Sequence, residues 1–211
     1  MQDNYHRTWA EISLDAIEAN AAAVQAKIGP GVKLMCVVKA DGYGHGAAAL
    51  ARFLEGKCDY YGVAALEEAL ALRGQGIAKP ILLLGYTSPG QYDQVVAAGL
   101  TQTVYTRGQA QALSEAARRA ETQALAHIAV DTGMGRIGFD DSDESAACVA
   151  EIAALPGLVL EGLFTHFARA DETDKASALS QYERFEAFTQ KLAAAGVEIP
   201  LKHACNSAAA M

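Results

Sequence analysis

The chain has 211 residues, of which 51% are hydrophobic, so it is long enough to bury a sizeable core within one globular domain. Its formal net charge of -8 and pI of about 5.1 argue against nucleic-acid binding, because phosphates require a basic face. The N-terminus lacks the basic and then apolar pattern of a signal peptide, and no apolar run approaches the length of a membrane span. Neither a nucleic acid nor a membrane is therefore expected as a partner.

Along the chain one unit repeats: a short β-like run, a turn, and an alanine-rich amphipathic stretch. The predicted strands are residues 33–38, 60–64, 80–84, 102–105, 124–130, 158–164 and 199–204. The predicted helices are residues 14–28, 46–56, 66–75, 89–98, 107–120, 142–154 and 175–195. Two of these helices carry apolar stripes at helical spacing, formed by Ala47, Leu50, Ala51 and Leu54 in one and by Ala178, Tyr182, Phe185, Phe188 and Leu192 in the other.

The strands are apolar runs rather than clean alternations, which indicates a parallel sheet covered on both faces. Repeating βα units of this kind leave two main folds, a doubly wound sheet or a (β/α)8 barrel of the TIM type. A barrel needs eight strands, and about seven are found. The run Asn206–Met211 has the pattern of a helix start with a good N-cap, so the sequence is expected to be part of a longer protein.

Lys39 stands where the first strand ends, directly after the apolar run Leu34–Val38. Taken alone, this position is most simply that of a lysine whose ammonium group reaches into water. The alternative is a partly desolvated amine with a lowered pKa, which suits Schiff-base chemistry.

The motif Gly42-x-Gly44-x-x-Ala47 that follows formally fits a dinucleotide-binding fingerprint. Three features disfavour that interpretation. The first glycine comes several residues after the strand, Tyr43 and His45 are bulky where a pyrophosphate would approach, and the next strand does not end in the expected acidic residue.

Three further strand ends carry residues whose side chains are suited to catalysis or ligand binding. Arg136 lies in a glycine-rich loop after the strand at 124–130 and offers a fork of donors to an oxyanion or phosphate. His166 follows the strand at 158–164, and Ser207 follows the last strand at a helix start, where backbone N–H groups bind phosphate. Singly, each has an ordinary explanation: a surface arginine in a flexible loop, a structural histidine, and an N-cap.

Together, Lys39, Arg136, His166 and Ser207 all lie at or just past the C-terminal ends of strands. In a barrel these ends meet at one face, where barrel enzymes have their active sites. The set supplies an amine nucleophile, an oxyanion partner, an imidazole and a phosphate site. It suits an aldehyde cofactor that carries a phosphate, which is pyridoxal 5'-phosphate.

These motifs resemble those of the bacterial alanine racemases and the related serine racemase domains, which are fold-type III pyridoxal-phosphate enzymes. The similar blocks are Val37–Gly46, Asp131–Gly138 and His203–Ala209, and Thr8–Ile12 is similar to the family's opening strand. The resemblance implies that residues 1–211 form a pyridoxal-phosphate-binding barrel domain. This domain would lack the eighth strand and the C-terminal β domain.

The resemblance also implies roles for individual residues. Lys39 would hold the cofactor as an internal aldimine and then act as a catalytic base. Tyr43 and Ser207 would bind its phosphate, and Arg136 its phenolic oxygen as well as the substrate.

Four more residues are assigned by the same resemblance. His166 would pack beside the pyridine ring, and His203 would support the arginine that faces the ring nitrogen. Asn206 would belong to the cofactor site, and Met134 would lie near the substrate.

The activity implied is interconversion of L- and D-alanine, or of serine, by two bases acting through an external aldimine. The product D-alanine is a peptidoglycan precursor. The second base in this family is a tyrosine from the C-terminal domain of the partner subunit in a homodimer. Since the chain stops before that domain, the fragment is expected to show little or no racemase activity alone.

Two positions depart from the family pattern. Asp41-Gly42 replaces the commoner Asn-Ala, and Ala129 stands where some members carry a carbamylated lysine that orients the arginine. Arg136 would therefore be held by an anion or by another side chain. The alternatives are a pyridoxal-phosphate-binding barrel protein that does not racemise and, more weakly, a dinucleotide-binding domain.

The four cysteines are irregularly spaced and indicate neither a zinc site nor a thioredoxin-like motif. No metal site is therefore predicted. Sparse cysteine is typical of a reducing compartment, so a cytoplasmic location is expected.

Overall fold

The computed structural model describes residues 8–211, which contain seven parallel strands in one sheet. The strands are β1 Met35–Val37, β2 Tyr60–Val63, β3 Ile81–Leu83, β4 Thr101–Val104, β5 Ala124–Ala129, β6 Leu158–Phe164 and β7 Leu201–His203. The helices are α1 Leu14–Ile28, α2 Lys39–Tyr43, α3 Ala47–Leu54, α4 Leu66–Gly74, α5 Tyr92–Ala97, α6 Arg107–Arg119, α7 Asp143–Ala153, α8 Ala176–Ala194 and α9 Ser207–Ala210.

Each strand pairs with the strand that follows it in the chain, so the spatial order is the chain order. This excludes a doubly wound sheet, in which the order reverses at a switch point. The sheet is also curled. The rings of Tyr60 on β2 and His127 on β5 have centroids 6.2 Å apart, whereas strands three places apart in a flat sheet are separated by about 14 Å. The predicted incomplete barrel is confirmed.

Most predicted elements are present with their ends shifted by a few residues. The caps explain several boundaries: the side chain of Ser13 accepts a hydrogen bond from Ala16 N, and Ser142 caps α7 in the same way. The helix predicted at 89–98 begins instead as a 3-10 turn over Pro89–Gln91 and continues as α5.

The expected opening strand at Thr8–Ile12 is wrong. These residues have no regular secondary structure, and Trp9 is 63% exposed. A strand needs a neighbour to satisfy its backbone groups, and within residues 8–211 no strand of the sheet pairs with this segment.

The apolar stripe on α8 is also partly wrong. Phe185, Phe188 and Leu192 are buried as predicted, but Tyr182 is 48% exposed and Gln181 occupies the buried place beside them. The amide of Gln181 has hydrogen-bond partners there, so its burial leaves no polar group unsatisfied.

The inward face of the sheet carries a polar cluster among apolar layers. The ring of His127 is almost fully buried, with its Nε2 3.4 Å from Oε2 of Glu161 on β6. The hydroxyl of Thr101 on β4 lies 3.4 Å from the same oxygen. The interaction with His127, aided by that with Tyr60, lowers the pKa of Glu161 although its partial burial opposes the shift.

Gly162 makes room for this cluster. A Cβ at this position would lie 2.4 Å from Nδ1 of His127 and 2.5 Å from two ring carbons. The ring is 3% exposed and lies against His203 and Tyr60, so it cannot move aside easily.

We expect Gly162→Ala to destabilise the chain by about 1–3 kcal/mol, because the added methyl overpacks a closed interior. Urea denaturation followed by circular dichroism measures the change in the free energy of unfolding.

The matched control is Gly74→Ala at the exposed end of α4, where an added Cβ meets nothing within 4 Å. This control should leave stability unchanged or raise it slightly, since alanine favours helix. Equal effects of the two substitutions would contradict the assigned role of Gly162.

Within the part of the chain that the structure describes, no helix is both long and apolar enough to cross a membrane.

Candidate active site

The segment after β1 adopts a left-handed helical turn that the sequence did not predict. Ala40, Asp41, Gly42 and Tyr43 have φ values of 49°, 51°, 62° and 56°. Left-handed conformation costs about 1–2 kcal/mol for each residue other than glycine. Backbone strain of this kind is concentrated at functional sites, where the surrounding structure has to maintain it.

Hydrogen bonds hold the turn at both ends. Gly42 N donates to Val38 O at 2.8 Å, and Gly46 N donates to Asp41 O at 2.8 Å. The carboxylate of Asp41 accepts from Ala47 N at 2.8 Å, which joins the turn to the start of α3. The strained segment is thereby fixed between β1 and α3.

Lys39 is the first residue of α2, directly before the left-handed residues, and it is partly buried. Its Nζ lies 5.9 Å from the centroid of the Tyr43 ring, so the two predicted site residues are neighbours. Tyr43 itself is 60% exposed, which leaves its hydroxyl accessible to a ligand. The structure therefore places the amine just past the C-terminal end of β1, at the edge of the sheet where the strands end.

The glycine-rich loop after β5 is closed at its base. Asp131 N donates to Phe139 O at 2.7 Å, and Phe139 N donates to Ala129 O at 2.9 Å. Gly138 has a φ of 141°, and a Cβ there would lie 2.3 Å from Asp131 N. Only glycine permits this close approach of the two ends of the loop.

Asp131 shapes the interior of the same loop. Its Oδ1 accepts from Gly133 N and Gly135 N, each at 3.0 Å. Burial alone would raise the pKa of Asp131, but these N–H donors and that of Met134 outweigh it and lower the pKa. The loop thus has a defined shape, and it carries Arg136.

Arg136, Met134 and His166 line one small cavity, whose floor includes Ala129 and Thr165. Burial lowers the pKa of His166, and the positive charges of Arg136 and Lys39 lower it further. The structure thus brings the predicted guanidinium and imidazole to one cavity.

Arg136 is exposed, and no hydrogen bond or ion pair fixes its guanidinium within residues 8–211. Ala129 is 2% exposed and contributes only a methyl group to the cavity. Ala129 therefore offers no polar group that could orient Arg136.

Hydrogen bonds of Gln181, which the sequence did not predict, connect two of the site loops. Gln181 on α8 donates to His166 O at 3.0 Å and to the hydroxyl of Thr132 at 3.3 Å, and it accepts from Ala168 N at 2.9 Å. The Thr132 and Thr165 hydroxyls lie 2.7 Å apart, and both residues are buried. These bonds fix the Arg136 loop relative to His166.

His203 ends β7 and lies above the interior polar cluster. Its Nε2 is 2.9 Å from Nδ1 of His127, and its ring stacks on Phe164 with centroids 4.8 Å apart. Burial, aided by repulsion from His127, lowers the pKa of His203 to about 3. The imidazole is therefore neutral at physiological pH, and it lies in a chain of contacts that leads down to Glu161.

Asn206 and Ser207 form the start of α9. Asn206 is its N-cap, with Oδ1 accepting from Ala209 N at 3.0 Å, and its amide reaches Phe167 O at 3.4 Å, next to His166. Ser207 is exposed as the first residue of α9. The predicted helix start is confirmed, but among residues 8–211 no hydrogen bond joins Ser207 to another predicted site residue.

The site as a whole is rich in cations and donors. Over the same described range, no three His, Cys, Asp or Glu side chains are grouped so that they could hold a metal ion. Amine, guanidinium and hydroxyl groups together suit a small anionic molecule with an electrophilic carbon.

The comparison with protein families agrees with this geometry. Residues 12–211 match the family model described as the N-terminal domain of alanine racemase. The chain belongs to the alanine racemase family. The match covers all the site residues described above, from Lys39 to Ser207.

Curated alanine racemases are similar over nearly the whole chain. Alanine racemase 1 of Caldanaerobacter subterraneus subsp. tengcongensis is 44% identical over 208 residues, which are 98% of this chain and 54% of that relative. The alanine racemase of Symbiobacterium thermophilum is 45% identical over 210 residues, which are 99% of this chain and 55% of that relative. The chain thus spans about half the length of the curated relatives it matches.

Solved structures show the same fold. An alanine racemase from Clostridium difficile 630 in complex with cycloserine superposes with a TM-score of 0.94 at 41% identity, over 96% of this chain and 56% of that one. The alanine racemase from Bacillus anthracis with bound L-Ala-P gives a TM-score of 0.90 at 34% identity, over 98% of this chain and 53% of that one.

We expect the pKa of His203 to produce a pH dependence of stability. An unfolded histidine has a pKa of about 6.5, well above the folded value of about 3. The unfolded state therefore binds a proton first as pH falls, so stability is complete above about pH 6.5 and declines below it. The slope should approach, without exceeding, about 1.4 kcal/mol per pH unit for this group.

Urea unfolding between about pH 5 and pH 7 measures this slope, in a range above the titration of the carboxylates. The slope should become flatter in His203→Asn, with a remainder from His166, whose pKa is lowered in the same direction. A slope that is unchanged in His203→Asn would show that His203 is not the titrating group.

Proposed function

We propose that this chain is the pyridoxal-phosphate-binding portion of an alanine racemase, and that the protein it belongs to interconverts L- and D-alanine. The observation that carries the proposal is the placement of Lys39. Its amine lies at the end of β1 beside a strained turn, 5.9 Å from the ring of Tyr43, and its charge lowers the pKa of His166. The chain is also 44% identical to a curated alanine racemase, which favours this function over a barrel protein that only binds the cofactor.

The residues present suit the cofactor. Lys39 supplies an amine for the aldehyde carbon, and the Arg136 guanidinium offers positive charge to a phosphorylated, phenolic molecule. The neutral imidazole of His203 adds no further charge beneath them. Ala129 contributes only a methyl group to the cavity that Arg136 lines.

We assign the residues as follows. Lys39 binds the cofactor covalently through Nζ, and Tyr43 and Ser207 donate hydroxyl hydrogen bonds to its phosphate. Arg136 donates to its phenolic oxygen, and His166 packs beside the ring.

The remaining assignments concern the far end of the ring and the substrate. His203 and Asn206 support the cofactor from β7 and the start of α9. Arg136 also receives the substrate carboxylate, since a guanidinium matches a carboxylate with two parallel hydrogen bonds. Met134, in the same loop, lies beside the substrate.

Pyridoxal phosphate, when bound, supplies an electron-accepting ring that disperses the negative charge left by a departing α-proton. The chain's own contribution is the handling of that proton. Nζ of Lys39, once free, accepts the α-proton on one face of the substrate. Only the neutral form of this amine can act as the base.

We propose further that residues 1–211 form the cofactor-binding barrel domain of a cytoplasmic homodimer. Racemisation requires a second base on the opposite face of the substrate, because inversion delivers the proton from the side opposite to its removal. In this proposal the partner subunit supplies that base. Alanine is the expected substrate, with serine as the alternative.

We expect pyridoxal phosphate followed by borohydride to label Lys39 selectively, because a fixed, partly buried amine forms the C=N bond more readily than a mobile one. Peptide mass spectrometry locates the label, and absorbance after addition of the cofactor gives its occupancy. Lys39→Ala should abolish both signals.

The control is Lys33→Ala, which removes an exposed lysine six positions away in the sequence. It should leave the label on Lys39 unchanged. Labelling spread evenly over surface lysines, or a label that persists in Lys39→Ala, would contradict the proposal.

A further inference from the structure

Glu68 makes a contact that joins two neighbouring βα units at the site. It is the third residue of α4, and its Oε1 accepts a hydrogen bond from Ala40 N at 2.6 Å. Ala40 is the residue after Lys39, so this bond fixes the peptide through which the lysine enters the left-handed turn. Glu68 comes from outside the turn and from a different unit of the fold.

The other oxygen of the same carboxylate is also used. Oε2 accepts from Ala64 N at 2.7 Å and from Ala65 N at 3.1 Å, at the point where β2 ends. A glutamate in the first turn of a helix commonly accepts from the N-cap N–H alone. Here one carboxylate serves that cap and the Lys39 segment together.

The bond to Ala40 matters because the turn is strained. Ala40 and Asp41 hold left-handed conformations that residues with a Cβ leave readily when unrestrained. The far end of the turn is fixed by its own residue Asp41, through Ala47 N. At the near end, next to Lys39, Glu68 adds a side-chain restraint to the backbone bond from Gly42 N to Val38 O.

We infer that Glu68 is a positioning residue for Lys39: it holds the strained turn in place and thereby sets where the amine lies. The inference rests on the proposed function, because that function gives the position of the amine its importance. Glu68 acts through the backbone and touches neither the substrate nor the cofactor.

The test substitution is Glu68→Gln. Glutamine has nearly the same shape but one oxygen and one NH2 group, so it cannot accept on both sides. Either Ala40 N or the pair at Ala64 and Ala65 then faces a donor. The matched control is Glu67→Gln on the same turn of α4, where the side chain is exposed and has no hydrogen bond or ion pair within residues 8–211.

Two readouts are compared in the 211-residue chain. Hydrogen–deuterium exchange of the peptide covering residues 38–46, without cofactor, reports whether the turn is held. The rate at which borohydride traps pyridoxal phosphate on Lys39 reports whether the amine is placed. In Glu68→Gln we expect exchange about tenfold faster and trapping roughly 10- to 100-fold slower, with neither changed in Glu67→Gln.

Unchanged exchange in a folded Glu68→Gln variant would overturn the inference, as would faster exchange with an unchanged trapping rate. If Glu68→Gln does not fold, Glu68→Asp replaces it. Aspartate keeps the negative charge at the start of α4 but is one methylene too short to reach both sides, so the same two outcomes apply.

The proposed function can fail separately. A parent chain that traps no cofactor on Lys39 would overturn the proposed function, and exchange alone would then decide whether Glu68 holds the turn. Trapping in the parent chain with no change in either readout for Glu68→Gln would overturn only the role of Glu68.

Discussion

The contact between His127 and Glu161 organises the interior on which the site stands. A half-buried carboxylate such as that of Glu161 is costly unless it has polar partners, and here His127, Thr101 and Tyr60 provide them from three other strands. The strands can reach one carboxylate only because the sheet is curled. His127 also contacts His203 at the end of β7, so the same cluster helps to fix the position of that strand end.

The site above this interior is built from loops that are held by polar side chains on neighbouring elements. Gln181 ties the Arg136 loop to His166, and Glu68 ties the Lys39 turn to the end of β2. Both side chains belong to helices that lie outside the site itself. A scaffold of this kind allows strained or glycine-rich backbone to keep one shape, which catalytic geometry requires.

The sequence predicted the strands, most helices and the strand-end placement of Lys39, Arg136, His166 and Ser207. Those features depend on local periodicity, caps and apolar runs, which involve residues close together in the sequence. The left-handed turn could not be predicted, because alanine and aspartate rarely adopt that conformation. The links made by Glu68 and Gln181 join distant parts of the chain, and Gln181 in a mostly apolar stripe gave no local signal.

The close approach of Gly162 to the His127 ring has an evolutionary consequence. Position 162 cannot accept a side chain while His127 stays as it is, because a Cβ at 162 and the imidazole at 127 would occupy the same volume. The two sites form an epistatic pair: a smaller residue at 127 would open position 162 to substitution. Mutational scans that vary one site at a time would rate position 162 as intolerant and miss that its constraint comes from the residue at 127.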